Sequence, residues 1–76
     1  MVRLINIKQD KTVIEADFIP EDSEISGHIV LDKATQDYKA DEVKGFDGIY
    51  ARMAANGLIK ELKENTGETT RLVMWY

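Results

Sequence analysis

In the stretch Phe46-Asp47-Gly48-Ile49-Tyr50-Ala51-Arg52-Met53-Ala54-Ala55-Asn56-Gly57-Leu58-Ile59-Lys60-Glu61-Leu62-Lys63-Glu64, apolar side chains return every three or four residues. Phe46, Ile49, Tyr50, Met53, Ala54, Gly57, Leu58 and Glu61 recur at the period of one helical face, and only Glu61 breaks the apolar stripe. Asp47 is a candidate N-cap, because its carboxylate can accept from the unpaired N–H groups of a first turn. Lys60 and Lys63 suit the negative end of the helix dipole, and Asn65-Thr66-Gly67 supplies a stop in which Gly67 can take a positive φ. Gly57 costs about 1 kcal/mol against alanine inside a helix. Either the helix continues and Gly57 lets it approach a neighbour closely, or Asn56-Gly57 turns and splits it. The continuous helix is the expectation.

The residues on either side of this stretch alternate with a period of two. Val2–Lys8 is rich in β-branched residues, and Gln9-Asp10-Lys11 follows as a polar turn. Thr12–Ile19 sets Ile14, Ala16 and Phe18 on one face and Glu15 and Asp17 on the other. Two such strands with so short a link form an antiparallel hairpin. Pro20-Glu21-Asp22-Ser23-Glu24 ends the second strand, Ser26–Asp32 makes a third, and Lys33–Asp37 turns the chain. Tyr38–Val43 alternates weakly and carries charges that discourage pairing with other chains, which suits an edge strand. Thr69–Tyr76, too apolar to leave in water at roughly 25 cal/mol per Å², is expected to dock as a fifth strand.

The resulting order is β-β-β-β-α-β in one α+β domain spanning residues 1–76. If the first four strands meander, the helix returns the chain so that the last strand runs antiparallel to the first. That gives a five-stranded antiparallel sheet of order 5-1-2-3-4 with one helix packed on one face. The alternative pairs the last strand parallel to the fourth through a right-handed crossover. One helix covers one face only, so the other is polar or meets something.

Apolar residues form 43% of the chain and charged residues 32%, which places it among folded domains rather than disordered ones. The absence of cysteine removes disulfides, thiol nucleophiles and Cys-based zinc sites. Met1–Lys8 has neither the apolar length nor the cleavage site of a signal peptide, and no run reaches the roughly 20 apolar residues of a membrane span. A cytoplasmic protein, away from membranes, is the expectation. Between Asp10 and Glu42 ten acids face three bases, whereas elsewhere seven bases face four acids, for a net charge of −4 overall. Phosphate binding needs concentrated Lys and Arg, and Arg52, Lys60, Lys63 and Arg71 form no block, so nucleic acid is not the expected partner.

No catalytic constellation stands out. His28, the only histidine, lies on a strand with Glu15, Asp17 and Asp32 as candidate neighbours. It reads first as a solvated strand residue and second as a general base or metal ligand held by a carboxylate. Glu21-Asp22-Ser23-Glu24 is too short for a calcium loop and lacks its glycine. Ser23 and Ser26 have no nucleophile-elbow setting, and Gly45-Phe46-Asp47-Gly48 lacks the lysine of a phosphate loop. No cofactor or metal is expected. Phe18, Phe46, Tyr50 and Trp75 are expected to fill the core, while Tyr38, Trp75 and Tyr76 are the candidate interface residues, with Tyr76 the foremost.

The hairpin ending in Ala16-Asp17-Phe18-Ile19-Pro20-Glu21-Asp22-Ser23, the strand Gly27-His28-Ile29-Val30-Leu31-Asp32, the amphipathic helix and the terminal Val73-Met74-Trp75-Tyr76 carry a resemblance. The chain resembles a group of small uncharacterised proteins of Gram-positive bacteria and their phages, a resemblance that implies a fold and a source class and no activity. The expected function is a non-enzymatic protein-interaction module, self-associating or binding a protein partner. The alternatives are a small ligand-binding or enzymatic domain built on His28 with Asp17 or Asp32, and a nucleic-acid-binding accessory protein.

Overall fold

The computed structural model describes residues 2–20, 26–41 and 49–73. The strands are β1 (Val2–Gln9), β2 (Val13–Pro20), β3 (Gly27–Asp32), β4 (Tyr38–Ala40) and β5 (Arg71–Val73), and the helix α1 (Ile49–Glu64) lies between β4 and β5 in the chain. They form one five-stranded sheet in the order β4-β3-β2-β1-β5, antiparallel at every pairing. This is the α+β architecture expected from the strand pattern, with the first strand inside the sheet. Asp47, Phe46, Val43, Met74, Trp75 and Tyr76 lie outside the described residues. So do the proposed N-cap and the two leading aromatic interface candidates.

Side-chain chemistry sets the strand boundaries. Asp10 Oδ1 accepts from the N–H groups of Thr12 at 2.7 Å and Val13 at 2.9 Å, so Thr12 belongs to the turn and not to β2. Asp32 does the same for Ala34 at 2.8 Å and Thr35 at 3.1 Å. An Asp side chain that mimics a backbone turn in this way fixes a short connection. Pro20 extends β2 one residue beyond the expected end, opposite Val2. Since β3 begins at Gly27, opposite Phe18, Pro20 projects past its neighbour, where a missing N–H is tolerated. β4 is shorter than expected and ends at Ala40.

One face of the sheet carries Val2, Leu4, Ile7, Ile14, Ala16, Phe18, Ile29 and Leu31, all buried with Ala54, Ala55 and Leu58 of α1. Each large side chain withdrawn this way stabilises the fold by about 1.5–3 kcal/mol relative to exposure. Tyr50 and Met53 pack partly against this core as expected. Ile49, placed on the buried stripe by its spacing, is instead 44% exposed at the start of the helix. The helix is continuous through Asn56-Gly57. A Cβ on Gly57 would stand 2.5 Å from Val73 Cγ2 and 2.9 Å from Leu4 Cδ1, so the absent side chain lets α1 settle against β1 and β5.

Glu61 does not interrupt the buried face. It is part of it, 2% exposed. Its carboxylate accepts from the Thr66 N–H at 3.0 Å, the Gly67 N–H at 3.2 Å, the Thr66 hydroxyl at 2.8 Å and Arg71 Nη1 at 3.0 Å. Arg71 also pairs with Glu64 through Nη2. Asn65 (φ 51°) and Gly67 (φ 75°) both adopt the left-handed backbone that turns the chain back toward the sheet, and Asn65 N–H closes on Glu61 O at 2.7 Å. Burial pushes the Glu61 carboxyl up, but the hydrogen bonds from Thr66 and Gly67 and the Arg71 charge outweigh it, leaving it below the usual range.

Candidate interaction surface

The face of the sheet away from α1 is built by the alternate residues. β1 contributes Arg3, Ile5 and Lys8, and β2 contributes Val13, Glu15, Asp17 and Ile19. From β3 come His28 and Val30, from β4 Lys39 and from β5 Leu72. Their register is direct: Arg3 stands opposite Ile19 and Leu72, Ile5 opposite Asp17, and Lys8 opposite Glu15. On the other side of β2, Asp17 stands opposite His28 and Glu15 opposite Val30, which in turn faces Lys39. Ile5, Val13, Ile19 and Val30 are half-buried among these neighbours, and Leu72 is 51% exposed.

An irregularity in β1 shapes the centre of this face. Between Ile5 and Lys8 the register with β2 shifts by one residue. Asn6 takes φ 54° there, a conformation that asparagine tolerates better than other residues bearing a Cβ. The bulge keeps both Leu4 and Ile7 buried and aims the Asn6 amide at Asp17 Oδ2, 3.1 Å away. The other carboxylate oxygen, Oδ1, is 2.8 Å from His28 Nδ1. Hydrogen bonds from His28 and then Asn6 hold the Asp17 carboxyl below the usual carboxylate range. An ionised carboxylate only accepts, so Nδ1 carries the proton and Nε2 is left facing Glu15 Oε2 at 3.9 Å. Glu15 Oε1 completes the group with Lys8 Nζ at 3.2 Å.

His28 is thus brought together with Asp17 and Glu15, two of its three candidate neighbours. Asp32 does not join them. It sits opposite Val13, and its carboxylate is used by the β3–β4 turn. Asp41 was not among the candidates, yet its carboxylate accepts from the His28 backbone N–H at 3.2 Å. Tyr38, 40% exposed, stands opposite Leu31 on the helix side of the outer strand and not on the bare face. Arg71, one of four bases weighed for nucleic acid, is turned inward to Glu61 and Glu64.

Among the described residues, hollows lie at the margins of the sheet. One, of about 490 Å³, is lined by Arg3, Glu64, Thr66, Thr70, Arg71 and Leu72 among others, and another, of about 150 Å³, by Lys8, Gln9, Asp10, Val13 and Glu15. His28 lines neither. Among the described residues no group of three or more His, Cys, Asp or Glu side chains is placed to hold a metal, and no helix is long and apolar enough to cross a membrane.

The fold is α+β, and among the described residues α1 covers one face of the sheet and no element covers the other. Comparison with protein-family models, curated proteins and solved structures finds no match.

Proposed function

We propose that this chain is a non-enzymatic interaction module that docks through the open sheet face, and that the partner the face fits is a second copy of itself. The observation that carries the reading is the arrangement of charge across β1 and β2. β1 presents Arg3 and Lys8, β2 presents Glu15 and Asp17, and Lys8 and Glu15 share one row. A two-fold axis running along the strands between β1 and β2 lays each β1 over the β2 of the other copy. Lys8 then lies over Glu15 in both directions, Arg3 lies over Ile19 and Ile5 over Asp17, and Leu72 extends the contact. Such an isologous arrangement needs no second kind of surface.

The size of the face sets the strength. Strands about 4.8 Å apart and about 3.3 Å per residue give a footprint of roughly 500 Å² per copy, at the low end of protein interfaces. The expected association is weak, on the order of tens to hundreds of micromolar. Sedimentation between about 10 µM and 1 mM should show mass rising above the 8.6 kDa of one chain. Lys8→Glu and Glu15→Lys should each abolish self-association, and an equimolar mixture of the two variants should restore it. A wild-type chain that stays at monomer mass throughout, or a mixture no better than either variant alone, refutes the reading.

The His28–Asp17 contact at 2.8 Å favours a second reading, a small enzymatic or ligand site with His28 as base. It ranks second because the register that sets Asp17 opposite His28 already accounts for the contact.

A further inference from the structure

The imidazole of His28 stands between Asp17 and Glu15, the second of which the docking reading gives to the partner's Lys8. Its Nδ1 is 2.8 Å from Asp17 Oδ1 and its Nε2 3.9 Å from Glu15 Oε2. Among the described residues, the groups facing it from neighbouring elements are Asp17 and Glu15 on β2, Asn6 and Lys8 on β1, and Lys39 and Asp41 at β4. The helix lies on the opposite face of the sheet.

We propose that His28 is a proton-operated competitor for the acidic stripe of β2, so that self-docking is switched off as pH falls. With the ring neutral, its single proton sits on Nδ1 and engages Asp17, Nε2 offers Glu15 no donor, and Glu15, held on one oxygen by Lys8 of its own chain, presents its other oxygen to Lys8 on the partner's β1. Protonation adds a donor at Nε2 aimed at Glu15 and a positive charge beside both carboxylates. The stripe is then neutralised within its own chain, and the added charge repels the partner's bases. This inference rests on the docking reading above and adds to it a control that the reading does not require.

Linkage bounds the effect. At most one proton is released per chain on docking, two per dimer, so the association constant changes by no more than about a hundredfold per pH unit. A free imidazole changes charge between about pH 5 and 8, and the hydrogen bonds that hold Asp17 below the usual carboxylate range keep it ionised across that interval. The test compares sedimentation at pH 8 and pH 5.5 for the wild type and for His28→Gln, which keeps a polar side chain but cannot titrate. The wild-type dissociation constant should rise about tenfold at the lower pH, and that of His28→Gln should stay within about twofold.

A wild-type constant that is the same at both pH values overturns the switch and leaves the docking reading standing. Absence of association at pH 8 overturns both. In dilute protein, carbon-detected NMR should show the Glu15 and Asp17 carboxyl signals moving together with the His28 ring. A Glu15 signal indifferent to that titration refutes the competition even if association varies with pH.

Discussion

Replacing Glu61 by alanine should remove a large part of the stability of this domain. Native domains are stable by roughly 0.05–0.15 kcal/mol per residue, which for 76 residues is about 4–11 kcal/mol. Glu61 is 2% exposed, and its loss takes the acceptor from the Thr66 and Gly67 N–H groups and from the Arg71 guanidinium. Thr66 and Gly67 are exposed and can turn to water, so each costs little. Arg71, 18% exposed in its side chain, keeps Glu64 as a partner and is not left wholly unpaired. Breaking a buried pair costs about 3–5 kcal/mol, and these two escapes lower the expected loss to about 2–4 kcal/mol. Urea titration followed by far-ultraviolet circular dichroism measures it. Arg71→Leu should also destabilise, while Glu61→Met with Arg71→Leu should lose less than the sum of the singles, because an apolar pair leaves no charge stranded. Strict additivity of the two changes, or a loss under about 0.5 kcal/mol for Glu61→Ala, refutes the account of the helix end as a charge-anchored joint.

Gly57→Ala adds a Cβ 2.5 Å from Val73 Cγ2. The stiff valine must move, so an overpacking cost of about 1–3 kcal/mol exceeds the roughly 1 kcal/mol gained in helix propensity, and denaturant melts should show net destabilisation. Acid should destabilise the fold through Glu61 and Asp17, whose folded carboxyls are both held below their ordinary values. Their contribution is present above the unfolded pKa and is lost as pH falls through the lower folded one. Thermal melts from neutral pH down to about pH 3 should record that decline, and it should be shallower in Glu61→Gln.

The buried stripe of α1 and the two-residue alternation of β2 could be read directly because each residue on them obeys one period. Gly57 was legible for the same reason: a glycine in phase with an apolar face points to a close approach, and Val73 and Leu4 fill the space. Glu61 defeated that reading because its partners lie beyond the periodic segment. Five and six residues on, the Thr66 and Gly67 N–H groups turn back only because Asn65 and Gly67 leave right-handed geometry. A glutamate in phase with an apolar stripe, followed past the helix end by residues able to take a positive φ and then by an arginine, is the signal that was present.

The centre of the open face was half legible for a different reason. Its chemistry depends on which acid lies beside His28, and that depends on register. Register in turn follows from where the turns begin, which the side chains of Asp10 and Asp32 decide by bonding to the backbone beyond them. Asp32 was thereby spent on a turn and Asp17 was left opposite the histidine. The bulge at Asn6 was written in the sequence as Leu4 and Ile7 three residues apart, an odd spacing that a regular strand cannot bury on one side. Keeping both inside forces an extra residue onto the open face, and asparagine there supplies a donor to Asp17. A packing requirement on the covered side of the sheet therefore sets the ionised acceptor on the bare side. That acceptor fixes the His28 proton on Nδ1 and leaves Nε2 facing Glu15.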